Sequence, residues 1–225
     1  MESDRLDSEA GVKPGLAKRY LSESGSAHYL HKYRRPRKRL AHRTESRILR
    51  RLLRQVGRSK SLFDVPCGTG RFFPVLRKQA DEVHLGDYSP QMLRIAREIT
   101  RGEAASYSTL NLMHARDNGW HMEGVVSIRL MHHLYGRAAR ETYLDALAHI
   151  AERWIILSFR DALAPNTILR RLKRRIAGKA DLCAQRLSAI RHAMARRGFR
   201  LVRAASLSAL FSGHRYALFV RDDGA

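Results

Sequence analysis

Leu62-Phe63-Asp64-Val65-Pro66-Cys67-Gly68-Thr69-Gly70-Arg71-Phe72 is the stretch on which the fold turns. It opens inside a short apolar run, SLFDV at 61–65, which Pro66 stops as proline stops a strand. A tight glycine-bearing turn follows, then the helical stretch RFFPVLRKQ. Strand, glycine turn and helix together place a ligand at the carboxyl edge of a parallel sheet, because a turn without side chains admits the ligand to the backbone. The turn is not a dinucleotide fingerprint. Counted from Gly68, the third small position falls on Phe73; counted from Pro66, it falls on Arg71. No Gly-Lys-Ser/Thr follows, so it is not a nucleotide-triphosphate loop either. An NAD-dependent oxidoreductase therefore fits poorly.

Working outward, strand and helix alternate. EVHLG (82–86) reads as a second strand closed by Asp87, and Ser89-Pro90 opens a helix with Ser as N-cap and Pro in the first turn. A weaker strand is expected near 105–110, then a loop over 111–121, a strand over 124–128, a helix over 138–151 and a strand over 154–159. Helices are expected over 167–177 and 185–197, and strands near 199–205 and over 214–220. Upstream, Ile48, Leu49, Leu52 and Leu53 mark a helical face over 45–53, while Pro36 argues against one continuous helix through YRRPRKR. This alternation predicts an α/β domain on a largely parallel sheet. Asp87, at a strand end 23 residues past Asp64, can accept two hydrogen bonds from ribose hydroxyls or cap the helix after it.

The charge is uneven. The chain of 225 residues carries 43 Lys+Arg against 21 Asp+Glu, a net +22. Residues 1–60 hold 17 basic against 6 acidic and residues 160–203 hold 13 against 2, while 61–159 balance at 11 and 11. Basic blocks around a neutral middle are the footprint of an anionic partner: a phosphorylated substrate, nucleic acid or an anionic membrane surface. No apolar run approaches a membrane span and the acidic, polar N-terminus is unlike a signal peptide, so the expected location is cytoplasmic. Cys67 and Cys183 form no metal or disulfide framework. His28 and His31, at helical spacing without a third ligand, read as surface residues.

The runs LFDVPCGTGRF, HLGDYSPQMLRIARE and VVSIRLMHHL, in that order, resemble the class I S-adenosylmethionine-dependent methyltransferases over residues 45–160, most nearly the small bacterial ubiquinone/menaquinone-type branch. The resemblance implies a Rossmann-like seven-stranded sheet of order 3-2-1-4-5-7-6, its last strand antiparallel, flanked by helices. It also implies a methyltransferase domain over 45–225, a basic N-terminal helical cap over 1–44 and a basic insertion over 160–185. Carried over by position, it makes Asp64 the acidic residue of the first motif and sets the backbone of Pro66, Cys67, Gly68 and Gly70 against the methionine and ribose parts of the cofactor. Asp87 then holds the ribose, Tyr88 lies beside the adenine, and Asn111-Leu112 occupies the adenine-contacting position usually held by Asp-Ala. Pro66 stands where the family usually has glycine, which removes a backbone donor.

S-adenosylmethionine is a sulfonium cation without phosphate, so carboxylates suit it better than an anion-binding nest. Methyl transfer is an in-line displacement that depends on orientation and exclusion of water. His132 and His133, beyond the fourth strand, are the candidate base or acceptor-positioning residues, and Arg129 can pair with the cofactor carboxylate or an anionic acceptor. Asp161 is a weaker candidate. The expected acceptor is an anionic small molecule or lipid-linked compound. RNA methylation fits the charge and the mixing of Tyr20, Tyr29 and Tyr33 with arginines. A basic binding module that keeps the fold without turnover is the non-enzymatic alternative, favoured by Pro66 and Asn111.

Overall fold

The computed structural model describes residues 36–114, 119–208 and 212–222. Tyr20, Tyr29, Tyr33, His28 and His31 lie outside the described residues. Seven strands form one sheet: β1 Ser59–Asp64, β2 Ala80–Asp87, β3 Ser106–Thr109, β4 Met122–Ser127, β5 Ala151–Arg160, β6 Phe199–Ser206 and β7 His214–Arg221. Their order is β3-β2-β1-β4-β5-β7-β6. β1 to β5 pair in parallel, and β7 runs antiparallel to both β5 and β6. This is the order expected from the motifs.

The helices are α1 Pro36–Leu53, α2 Phe73–Leu76, α3 Pro90–Ile99, α4 Arg137–Ile150, α5 Pro165–Ile176 and α6 Leu187–Ala195. Ser89 caps α3 as expected, its Oγ accepting the Met92 N–H at 3.2 Å, with Pro90 in the first turn. Two elements differ from the sequence expectation. α1 runs from Pro36, not from about residue 45, because a proline at a helix start gives up an N–H that has no intrahelical partner there. α2 is a single turn rather than the length of RFFPVLRKQ, since β2 begins at Ala80 and leaves it no room.

Each strand residue alternates between two apolar layers. Phe63, Val125, Ile155, Leu157 and Phe219 pack with Tyr143 and Leu147 of α4 and Ile190 and Met194 of α6. On the other face Leu62, Leu85, Val126, Ile156 and Leu218 pack with Leu49, Leu52 and Leu53 of α1, Phe73 of α2 and Leu93 and Ala96 of α3. Each fully buried leucine contributes on the order of 2 kcal/mol. Among the described residues no helix is long and apolar enough to cross a membrane.

Trp154 sits fully buried on β5 with its indole N–H donating to Ser59 Oγ at 3.0 Å. The ring occupies the space above Gly124 of β4, where an added Cβ would stand 2.0 Å from Trp154 Cζ2. Gly124→Ala must therefore displace a fully enclosed ring, and should cost about 3 kcal/mol by denaturant titration. A midpoint within error of the parent would show that the ring yields freely.

Candidate active site

The period of two decides which side chains meet at the carboxyl edge. Leu62 and Val83 and Leu85 belong to the face covered by α1, α2 and α3, so Asp64 at the tip of β1 and Asp87 at the tip of β2 share that face. The two strands are adjacent and in register, with Asp64 opposite Leu85. Both carboxylates are buried. The two acids are thus neighbours at the carboxyl edge, close enough for Asp87 to act on Asp64, with the turn Pro66–Gly70 following β1.

The turn is built for close approach. Gly68 and Gly70 have φ of +57° and +68°, a region that costs any residue with a Cβ roughly 1 kcal/mol or more. A Cβ on Gly70 would also press on Thr100 Cγ2 at 3.2 Å and Ala96 Cβ at 3.3 Å, so the glycine lets α3 close against the turn. Cys67 N–H donates to Gly86 O at 2.8 Å, tying the turn to β2. Burial pushes the Cys67 thiol up, and it stays a thiol.

The two acids differ in what holds them. Asp87 Oδ2 accepts the Gly68 N–H at 2.8 Å and Oδ1 accepts the Ser89 N–H at 2.9 Å. The Tyr88 N–H is a third backbone donor to this carboxylate, so Asp87 supports both the turn and the helix start. Burial pushes its carboxyl up to about 6 against the pull of those amides. Asp64 has no such support: neither oxygen has a hydrogen-bond partner among the described residues. Burial, with the neighbouring Asp87 adding to it and Arg71 opposing, pushes Asp64 up to about 8. A buried carboxyl without a partner is a group arranged for a ligand that supplies one.

Beside this pair lies a network absent from the sequence reading. Glu45, fully buried on α1, receives Arg71 Nη1 at 2.5 Å, Arg129 Nε at 3.0 Å together with Arg129 Nη2, and the Tyr216 hydroxyl at 2.9 Å. Burial alone would raise this carboxyl, but Arg71 and Arg129 outweigh it and hold Glu45 at about 2. Glu45 thereby joins α1 to the loops after β1 and β4 and to β7. Arg129, foreseen as a cofactor or acceptor contact, is engaged with Glu45. Its φ of +70° is held by its N–H, which donates to Ser158 Oγ at 2.7 Å. The available signal was composition: Glu45 is the lone carboxylate between Glu23 and Asp64, in an otherwise basic stretch.

His132 and His133 sit in the 3-10 turn Met131–His133 just past β4, their ring centroids 4.0 Å apart. His132 also meets His214, at the start of β7, edge to face at 4.9 Å. Burial, then the neighbouring His133 and His214 and after them Arg129 and Arg160, pushes His132 far down; burial, then Arg129 and Arg160, pushes His214 down to about 3. His132 is thus a neutral ring and a weak base, and its Nδ1 and that of His214 are buried without partners. Asn111 spends its side-chain oxygen on the Met113 N–H at 3.1 Å, and Leu112 is buried in the core layer under α4. Tyr88 is half-buried after Asp87. Asp161 pairs with Arg215 at 2.8 Å and caps its own turn at Leu163 N–H. Among the described residues no cluster of His, Cys, Asp and Glu could hold a metal ion.

Residues 62–152 match the family model described as Methyltransferase domain. Over that stretch, less than half of the chain, the sequence is similar to the methyltransferase domain. The fold is shared with magnesium protoporphyrin IX methyltransferase from Synechocystis PCC 6803, solved with bound S-adenosylhomocysteine, at 21% identity and a TM-score of 0.72 over 90% of this chain and 96% of that one. An S-adenosylmethionine-dependent methyltransferase from Clostridium acetobutylicum ATCC 824 superposes with a TM-score of 0.69 at 10% identity, over 87% and 98% of the two chains. The N-methyltransferase NodS from Bradyrhizobium japonicum WM9 does so with 0.64 at 13% identity, over 81% and 97%. No curated protein matches the sequence.

Proposed function

We propose that this methyltransferase takes its methyl group from S-adenosylmethionine held over Asp64 and Asp87, and passes it to an anionic small-molecule or lipid-linked acceptor in the cytoplasm. The observation that carries the reading is Asp64, a buried carboxyl with two unpartnered oxygens beside a turn of left-handed glycines. A ligand bearing cationic groups and ribose hydroxyls, and no phosphate, fits that donor set; a dinucleotide would bring phosphate charge against two acids. When bound, the cofactor supplies a methyl group activated by its sulfonium. Asp64 meets the cationic part, Asp87 turns what acceptor capacity the backbone leaves it to the ribose, and the backbone of Pro66, Cys67, Gly68 and Gly70 lines the approach. Tyr88 and the Asn111-Leu112 step border the adenine end. Relatives with this fold were solved with S-adenosylmethionine or its demethylated product, which supports the assignment.

Support for an anionic acceptor comes from Arg160, at the carboxyl end of β5. Arg71 and Arg129 are engaged with Glu45, whereas the half-buried Arg160 has no ion-pair partner among the described residues and feels the further cations Arg170 and Arg129. An acceptor carboxylate, phosphate or phenolate supplies it with an anion. An acceptor already ionised needs no base, so His132 and His133 serve to position it and to exclude water. The ubiquinone/menaquinone-type branch, with its ring-bearing acceptors, is one form of this proposal.

The test uses the full chain, methyl-labelled S-adenosylmethionine and fractionated cell extract. Label in the acidic small-molecule or lipid fraction is expected. Label in RNA would replace the acceptor class with nucleic acid. Cofactor binding without label in any fraction would favour the non-catalytic binding module.

A further inference from the structure

We propose that α5 is a peripheral docking helix that seats the protein on an anionic lipid bilayer. Ile168, Leu169, Leu172 and Ile176 are each half exposed or more, and Leu163 just before the helix is exposed as well. At about 100° per residue the four helical side chains fall within an arc of roughly 100°. Thr167, the one buried residue of the helix, lies on the opposite side, where its Oγ1 packs at the position a Cβ on Gly213 would take. The helix therefore rests on the body through Thr167 and turns its apolar stripe away from it. An apolar stripe of this kind on a soluble surface marks an interaction site.

Charge selects the occupant. Lys173 and Arg175 stand on the two shoulders of the stripe. Arg171 and Arg174 are engaged on the body side, with Asp181 and with Ala180 O. Asp181 is the lone carboxylate between Asp161 and Asp222, and it is already paired. A second copy would bring basic surface against basic surface. RNA would satisfy the arginines and leave four large aliphatic side chains in water. A bilayer with anionic headgroups accepts both: the stripe enters the headgroup–acyl boundary and the shoulder cations stay with the phosphates. α5 begins five residues after the carboxyl end of β5, so docking sets the edge that carries the crevice at headgroup level. Binding to lipid requires no methyl donor, so this inference and the proposed methyl transfer can fail separately.

The test is sedimentation of the full chain with vesicles of phosphatidylcholine alone and of phosphatidylcholine with an equal part of phosphatidylglycerol. Binding only to the anionic vesicles is expected, weakening as salt rises. Leu169→Ser with Leu172→Ser should lower the partition coefficient at least about ten-fold, and Lys173→Gln and Arg175→Gln about five-fold each, since a cation near an anionic surface contributes about 1 kcal/mol. All four residues are exposed, so the thermal midpoint should not move. No binding to anionic vesicles would overturn the proposal and leave the stripe to the chain's own first 35 residues. Equal binding to neutral vesicles, or binding indifferent to the leucine pair, would overturn it too. A dimer in solution dispersed by the leucine pair would reassign the stripe to a copy–copy contact.

Discussion

Asp64→Asn should abolish methyl-donor binding at working concentrations while making the empty protein harder to unfold. The two effects share one cause. In the unliganded protein burial pushes the Asp64 carboxyl up to about 8, against a carboxylate value near 4 in the unfolded chain. Between those limits the folded chain holds a proton that the unfolded chain has released, so stability falls as pH rises through the window and is fully present only below it. At pH 7 the penalty is on the order of 4 kcal/mol. Asparagine has no charge to bury, yet its amide is left unsatisfied at a cost of about 1–3 kcal/mol. The net should be a rise in midpoint of roughly 2–8 °C by calorimetric melting.

Binding moves the other way. A cationic ligand selects the ionised carboxylate and expels the proton, so affinity for S-adenosylmethionine should climb about ten-fold per pH unit up to pH 8 and then level off. In the asparagine variant the affinity should be at least about 100-fold weaker at pH 8, and the pH dependence should vanish. Titration calorimetry at pH 6, 7 and 8, in two buffers of different ionisation heat, reads affinity and proton release together. An affinity in the parent protein that ignores pH would remove Asp64 from the site.

Glu45→Ala should be the most damaging single change near the crevice, about 3–5 kcal/mol and a midpoint about 10 °C lower. A buried ion pair is weak evidence for stability as a whole, since desolvation consumes much of the attraction. Removing one partner is different. It leaves Arg71 and Arg129 enclosed without their anion and the Tyr216 hydroxyl without its acceptor. The loops after β1 and β4 lose their common anchor, so methyl-donor affinity should also fall. Because Arg71 and Arg129 hold the folded carboxyl at about 2, below its unfolded value, its stabilisation is present above about pH 4.5 and disappears as pH drops through 2. Acid titration of the parent and the alanine variant should therefore converge at low pH. Parallel curves would place the stabilisation elsewhere.

How much of this was legible in the residues differs from part to part. Ser89-Pro90 announced the start of α3, and the glycines after Asp64 announced the tight turn that follows β1, because caps, turns and strand ends are local chemistry expressed within a few residues. The length of α1 was missed because Pro36 reads alike as a breaker and as a first-turn residue. Glu45 was missed because its partners lie 26, 84 and 171 residues away.

The alternation of apolar residues, the turn chemistry and the caps thus sufficed for the kind of sheet, its helices and the acidic pair at the tips of β1 and β2. The joining of Glu45 with Arg71, Arg129 and Tyr216, the edge-to-face meeting of His132 and His214 and the seat of Trp154 over Gly124 came with the folded sheet. Periodicity is a property of neighbours along the chain and reports which face a side chain takes. Which side chains then meet depends on strand order and crossovers, and the antiparallel β7 brings His214 to His132 and Tyr216 to Glu45 from the far end of the sequence.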